Sequence, residues 1–342
     1  MIEAVRRSAV LYHYPCPDGA FAALAAHLYF SALSLPVVFI PNTVYDPVRV
    51  ENIPSEEFED VYLLDFAGPP GFVKKTSSKA KSVIILDHHK TALEELSRSD
   101  QQSSNVTKVI DLKRSGATIA YDFFRDRLVK RSKSLGHAVT DGNAWPLGRL
   151  ASKNEVERVS RLFKLVEDGD LWRWTIRHSK AFYWGLKDMN IEYNVDLNPS
   201  LFDQLLALDP DFVIDHGKET MLCKQKLIQE AVDQSYGIVL GGGLFGRCLA
   251  VNVDAISDLR SDIGNQLAEK SQSLGLRGIG AVVYKVSELG NDQLLKVSLR
   301  SVGPEDTTPI SQAHGGGGHR NASSFMVDSS EFEKWKVTAG AD

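Results

Sequence analysis

Four short apolar runs constrain this chain more than any other feature. They are residues 8–14 (SAVLYHY), 35–42 (LPVVFIPN), 60–67 (DVYLLDFA) and 82–89 (SVIILDHH). Each is too short for a buried helix, rich in β-branched or aromatic residues, and apolar without alternation. That pattern suits strands covered on both faces. An alanine-rich helical stretch, 19–33, follows the first run. The alternation predicts an α/β fold with a mostly parallel sheet and helices on both faces.

Three of the runs end in ionisable residues: His13 with Asp18 just beyond, Asp65, and Asp87-His88-His89. Open α/β sheets bind ligands outside the carboxyl ends of their strands, so these groups are expected to share one crevice. Asp and neutral His are ordinary ligands for Mn2+ or Mg2+. Carboxylates crowded there repel one another without a cation. Taken alone, Asp65 reads as a turn or capping residue and His13 as a hydrogen-bonded structural histidine. Three consecutive ionisable residues at the end of a buried strand are costly without a shared partner. Asp18-Gly19 reads as a turn before the helix, with Cys16 where a carboxylate would look more natural.

Farther along, 114–128 is an amphipathic helix with Ser115-Gly116 near its start, and 130–155 a polar loop or insertion. Lys113-Arg114 reads as a solvated face or a phosphate contact. Residues 155–174 are helical with an acidic end, 168–174 (DGDLWRW), where Asp170 or Asp168 could join the crevice. Trp172 and Trp174 read as core packing or as base-stacking rings. Residues 200–234 look like bridging helices. From 236 the pattern changes to strands with a helix over 258–273, which indicates a separate, smaller α/β domain. Residues 241–246 (GGGLFG) read as a hairpin turn. The expected division is 1–198 for the first domain, 199–234 for a helical linker and 235–342 for the second. The second domain ends in 313–325 (AHGGGGHRNASSF), where consecutive glycines let backbone amides approach an anion. His314, His319, Arg320 and Asn321 supply donors around them, and Arg300 and Ser301 lie at a nearby strand end.

The formal net charge of -5 argues against coating long nucleic acid by charge alone. It leaves room for a small nucleotide held in a local basic pocket. The chain's 3 cysteines are odd in number and widely spaced, which fits a reducing compartment. No apolar run approaches the ~18 residues needed to span a membrane. No signal-peptide pattern opens the sequence. A cytoplasmic location is expected, with the nucleus also compatible, and neither a membrane nor a fixed oligomeric state is implied.

The sequence becomes recognisable at 86–90 (LDHHK), which resembles the signature of the DHH phosphoesterases. Residues 313–325 resemble the DHHA1 domain that commonly follows it. The resemblance covers nearly the whole chain, and DGDLWRW looks closest to the nanoRNase B-type oligoribonuclease branch of the RecJ-like superfamily. It implies that His13, Asp18, Asp65, His88 and Asp170 (or Asp168) hold one or two divalent metals, Mn2+ by preference and Mg2+ otherwise. Asp65 would bridge them. Asp87 and His89 would orient that set or contact phosphate. Arg300, Ser301, Gly316, Gly317, Gly318, His319, Arg320 and Asn321 would bind the nucleotide end of the substrate. Cys16 departs from the family pattern, which has an aspartate there, and its role as ligand stays open.

The implied activity is metal-dependent hydrolysis of short oligonucleotides or dinucleotides to nucleoside monophosphates by an activated water. Hydrolysis of a cyclic or linear signalling dinucleotide, or of another small phosphoester, is the neighbouring alternative. A non-catalytic nucleic-acid-binding module is the alternative from another class.

Overall fold

The computed structural model describes residues 7–43, 47–53, 58–98, 104–134, 152–254, 256, 259–286, 290–291 and 293–337. The chain divides into two compact units, Met1–Thr220 and Met221–Asp342.

In the first unit, β1 (Arg7–Tyr14), β2 (Val37–Thr43), β3 (Phe58–Leu64), β4 (Ser82–Asp87) and β5 (Val106–Ile110) form a parallel sheet in the order β2-β1-β3-β4-β5. Four strands coincide with the apolar runs. The edge strand β5 has no such run: Thr107 and Lys108 are exposed and its other residues only half-buried.

Alternate residues of the central strands face opposite sides. Ala9, Leu11, Val61, Leu63, Val83 and Ile85 pack in a cluster with Phe72 and Leu96, from α2 (Phe72–Ser77) and α3 (Lys90–Arg98). On the other face Tyr62 meets Phe30 and Phe124, at ring distances of 5.8 and 5.2 Å. Those rings belong to α1 (Pro17–Ala32) and α4 (Gly116–Ser134).

Helix α1 is buried from Asp18 to Ala26 and again at Leu28–Phe30, so it is apolar on nearly every side. It begins with Pro17 in its first turn, a position that costs no hydrogen bond. Asp18 and Gly19 therefore lie inside the helix rather than in a separate turn. Gly19 is required there, since a Cβ would sit 2.1 Å from the His13 carbonyl oxygen.

Four more helices follow: α5 (Lys153–Asp170), α6 (Ser179–Asp188), α7 (Leu201–Ala207) and α8 (Pro210–Asp233), the last running into the second unit. A capping box between Ser152 and Glu155 fixes the start of α5. Of the stretch read as a polar loop, 135–151 lie outside the described residues, while its flanks are helical.

The second unit holds β6 (Tyr236–Val239), β7 (Arg247–Asn252), β8 (Ile279–Lys285), β9 (Leu294–Ser301), β10 (Gly317–His319) and β11 (Ala322–Asp328) in the order β10-β11-β9-β8-β7-β6. Only the β7–β8 pair is parallel, and α9 (Arg260–Ser273) forms its crossover. Strands β6 and β7 make an antiparallel hairpin through 240–246, where Gly241 and Gly242 adopt positive φ. Short helices α10 (Thr308–Ala313) and α11 (Ser329–Glu333) complete the unit.

Candidate metal centre

In the strand order 2-1-3-4-5 the chain leaves β1 first to one side and then to the other. The crevice between the carboxyl ends of β1 and β3 is the switch point where such sheets bind ligands. His13 at the end of β1 and Asp65 just past β3 meet there, His13 Nδ1 lying 3.1 Å from Asp65 Oδ2. Asp65 is held at φ 64°. Aspartate tolerates this left-handed conformation better than most residues.

The other oxygen of Asp65 is the focus of the site. Oδ1 is buried and accepts no hydrogen bond, and His88 Nε2 lies 3.2 Å away. The same nitrogen is 3.6 Å from both Asp18 Oδ2 and Asp170 Oδ2. Among the described residues, three sets have ligand atoms within 4.8 Å of one another: His13, Cys16 and Asp65; Asp65, His88 and His89; and Asp18, His88 and Asp170. Carboxylate and imidazole donors in such overlapping sets fit a hard or borderline divalent cation. The buried Oδ1 fits it too, because a carboxylate oxygen removed from water without a hydrogen bond is costly.

Electrostatics in the cluster are uneven. Burial and the neighbouring charges of Asp65 and Asp170 push Asp18 well above the usual carboxylate range. Burial and Asp65 likewise push Asp170 up. For Asp65, burial raises the pKa, but the hydrogen bond from His13 and the nearby His88 overcome it and hold the carboxyl at about 2. Burial beside Asp65 and Asp18 pushes the Cys16 thiol up.

The remaining geometry is supplied by backbone. The α4 N-terminus donates the Gly116 and Ala117 amides to the two Asp18 oxygens, at 2.7 and 3.0 Å. Asp87 is fully buried, and its Oδ1 accepts from the amides of His88 and His89 and from His89 Nδ1, at 2.7, 3.1 and 2.8 Å. Asp87 thus fixes the backbone of both histidines and the ring of His89, while its Oδ2 is buried and accepts no hydrogen bond. His89, His13, Asp65 and Asp87 line a cavity of about 460 Å³.

The two acids near the end of α5 separate. Asp170 faces His88 and Asp18. Asp168 is consumed by the following turn: it accepts from the Thr175 amide and hydroxyl and the Ile176 amide. The core-packing reading fails for Trp172, which is 67 % exposed, while Trp174 is half-buried beside Tyr183; both are at positive φ, where the chain reverses after α5.

Glu167 was not singled out by sequence. One turn before Asp170, it accepts from the Ser115 amide and the Thr118 hydroxyl and lies near Arg114 and Arg173. Its spacing from Asp170 on one helix face was the available signal. Arg114 pairs with Asp122 at 2.7 Å.

In the second unit, Arg300 and Ser301 lie beside the glycine segment. The Ser301 amide bonds the Asn321 carbonyl, and the Asn321 side chain returns to Ser301 Oγ at 3.1 Å. Arg300 reaches Ser261 Oγ at 2.9 Å. Arg320 folds back on the Pro304 carbonyl at 2.8 Å, while His319 is exposed. Gly316 and Gly318 are needed sterically, because a Cβ would lie 2.1 Å from the Ser324 carbonyl or 2.5 Å from that of Ala322. Gly317 has open space around it. His314 does not join the donors: its ring stacks on Phe325 at 4.8 Å and packs near Trp335.

No family model matches the sequence. Over 327 residues, 92% of the chain, it is 26% identical to the uncharacterized protein R106 of Acanthamoeba polyphaga mimivirus; the match covers 66% of that protein, just under two thirds of its length. Among solved structures it is similar to the manganese-bound exonuclease RecJ (TM-score 0.47, 13% identity, 96% of this chain and 88% of that one). It is also similar to an exopolyphosphatase-related protein from Bacteroides fragilis (TM-score 0.42, 13% identity, 94% and 87%). A third similar structure is the pGpG-specific phosphodiesterase PggH from Vibrio cholerae (TM-score 0.40, 12% identity, 96% and 95%).

Proposed function

We propose that this chain is a metal-dependent phosphodiesterase of the DHH/DHHA1 type that hydrolyses dinucleotides and other short oligonucleotides to nucleoside monophosphates. The observation that carries the reading is the convergence of His13, His88, Asp18 and Asp170 around Asp65, whose buried Oδ1 accepts no hydrogen bond. Asp65, His13, His88, Asp18 and Asp170 would hold the metal, Mn2+ by preference. A divalent cation there supplies a Lewis acid that lowers the pKa of a coordinated water and offsets charge on phosphate oxygens.

The chain's own groups do the rest. Asp87 holds the His88 backbone amide, and the His88 ring meets Asp65. His89, with Nδ1 held by Asp87, lines the adjoining cavity and leaves Nε2 for a phosphate oxygen. The α4 amides hold Asp18 in place. A short substrate suits a chain of net charge -5, because few phosphate contacts demand little counterion release.

The test is hydrolysis of 5′-labelled RNA and DNA, from dinucleotides to twenty-mers, with Mn2+ and with Mg2+. Fastest turnover of the shortest RNA, dependent on metal, supports the reading. Absence of turnover on every length with either metal removes it.

A further inference from the structure

A second cavity, of about 340 Å³, lies against the same acid cluster and takes no part in the chemistry above. Asp18 and Asp170 line it, whereas His13, Asp65 and Asp87 line the first. An occupant of this cavity would therefore sit beside a group held by the metal centre. Its walls have a different character, coming from Pro17, Tyr183, Leu186 and Tyr193, with Lys187 as the cation. An apolar, aromatic wall with one or two placed polar groups is the usual form of a small-molecule site, and the volume lies within the common range.

Tyr183 connects this cavity to an aromatic cluster. Its ring lies 5.7 Å from Trp174, 6.1 Å from Trp172 and 5.5 Å from Trp184. The Lys187 ammonium sits 5.1 Å from the Trp184 ring centre. Trp172 and Trp174 are held at φ 50° and 54°. Bulky side chains rarely adopt this region, and such strain persists where the surroundings impose it, often beside binding sites. Trp172 gains no burial in return, being 67 % exposed. The strained reversal after Asp170 thus presents indole surface to solvent next to an acid of the metal centre.

We propose that this cavity seats a nucleobase of the substrate, the one attached beside the phosphate at the metal centre. Tyr183 and Tyr193 form its walls, and Trp172 and Trp174 extend the stacking surface. The proposal rests on the phosphodiesterase reading for the phosphate's position. A flat apolar ring suits a cavity lined by aromatic residues, and base stacking is sequence-tolerant because every base has a π-face. Lys187 meets the charge of the attached phosphate.

The test uses adenosine 5′-monophosphate and ribose 5-phosphate as probes, titrated into the Mn2+-loaded protein and into Trp172→Ala and Tyr183→Leu. The nucleotide should bind wild type about tenfold or more tighter than the sugar phosphate, the scale of one stacked base. Both variants should shrink that preference while leaving ribose 5-phosphate affinity unchanged. Because Trp172 is mostly exposed, its removal leaves the core intact and separates lost stacking from misfolding. Equal affinity for the two probes, or a preference untouched by both variants, overturns the site. Hydrolysis is read separately, on a dinucleotide and its abasic counterparts. No turnover with an intact base preference defeats the hydrolase reading alone. Equal turnover with and without bases defeats the base site alone.

Discussion

Gly116 is a glycine because Asp65 occupies the space where its side chain would be: a Cβ would lie 2.7 Å from Asp65 Cβ and 2.8 Å from Oδ1. The first turn of α4 thus presses on one acid while its amides hold another, Asp18. Gly116→Ala should displace Asp65 at a stability cost of about 1–3 kcal/mol, the range for overpacking. It should also weaken Mn2+ binding by about 10–100-fold, as loss of ligand support does. Isothermal titration with Mn2+ alongside thermal unfolding checks both; unchanged metal affinity would show that the contact is only packing.

Asp65→Asn keeps a side chain that tolerates positive φ and removes the charge that the surrounding histidines stabilise. Turnover should fall below detection in a variant with wild-type circular dichroism. A residual rate above about a tenth of wild type is far too high for a lost metal clamp and would falsify the bridging role.

Asp168 and Asp170 should part company when each becomes Asn. Asp168→Asn breaks up the acceptor set of the turn at Thr175 and Ile176, and should cost about 2 kcal/mol with bound metal unchanged. Asp170→Asn should change stability little and lower metal content, measured by elemental mass spectrometry. The reverse pattern would assign the ligand to Asp168.

Cys16 caps α1 without a side-chain hydrogen bond, and its sulfur belongs to the set with His13 and Asp65. Cys16→Asp should lower the Mn2+ concentration needed for half-maximal rate by adding a hard ligand. Cys16→Ser should leave it nearly unchanged. Both replacements are good N-caps, so the serine variant controls for any gain in helix stability. Loss of one bound metal per chain in Cys16→Ser would instead make the thiol a ligand.

The left-handed backbone at Trp172 predicts a stability order. Trp172→Gly should be about 1 kcal/mol more stable than Trp172→Ala, because only glycine escapes the steric cost of that conformation. Equal unfolding midpoints in urea would mean that the turn relaxes when the indole is gone.

Four of the five strands in the first sheet, and the meeting of His13, Asp65 and His88, were legible because buried parallel strands write themselves as apolar runs with their functional residues at the ends. Strand β5 was not, since an edge strand with exposed Thr107 and Lys108 carries no such run. Asp170 was favoured over Asp168 by its Asp-x-Trp spacing, and Asp170 is the acid beside His88; the capture of Asp168 by the turn at Thr175 and Ile176 left no such signal. The exposure of Trp172 was hidden too: positive φ at a tryptophan leaves no trace in composition or spacing.

Asp87 bears on how a sequence like this can vary. One oxygen of one buried carboxylate serves two successive amides and the second ring, so the three residues behave as a single part. Lengthening the acid to glutamate would disturb the backbone that carries both imidazoles, and exchanging His89 would leave the carboxylate arranged for a ring no longer there. Single steps at Asp87 or His89 therefore break the arrangement that the other residue relies on, and a step at His88 removes the ring that meets Asp65. A descendant of this chain that abandoned the chemistry would be expected to lose the three residues together, while its sheet, which rests on the strands behind them, remained standing.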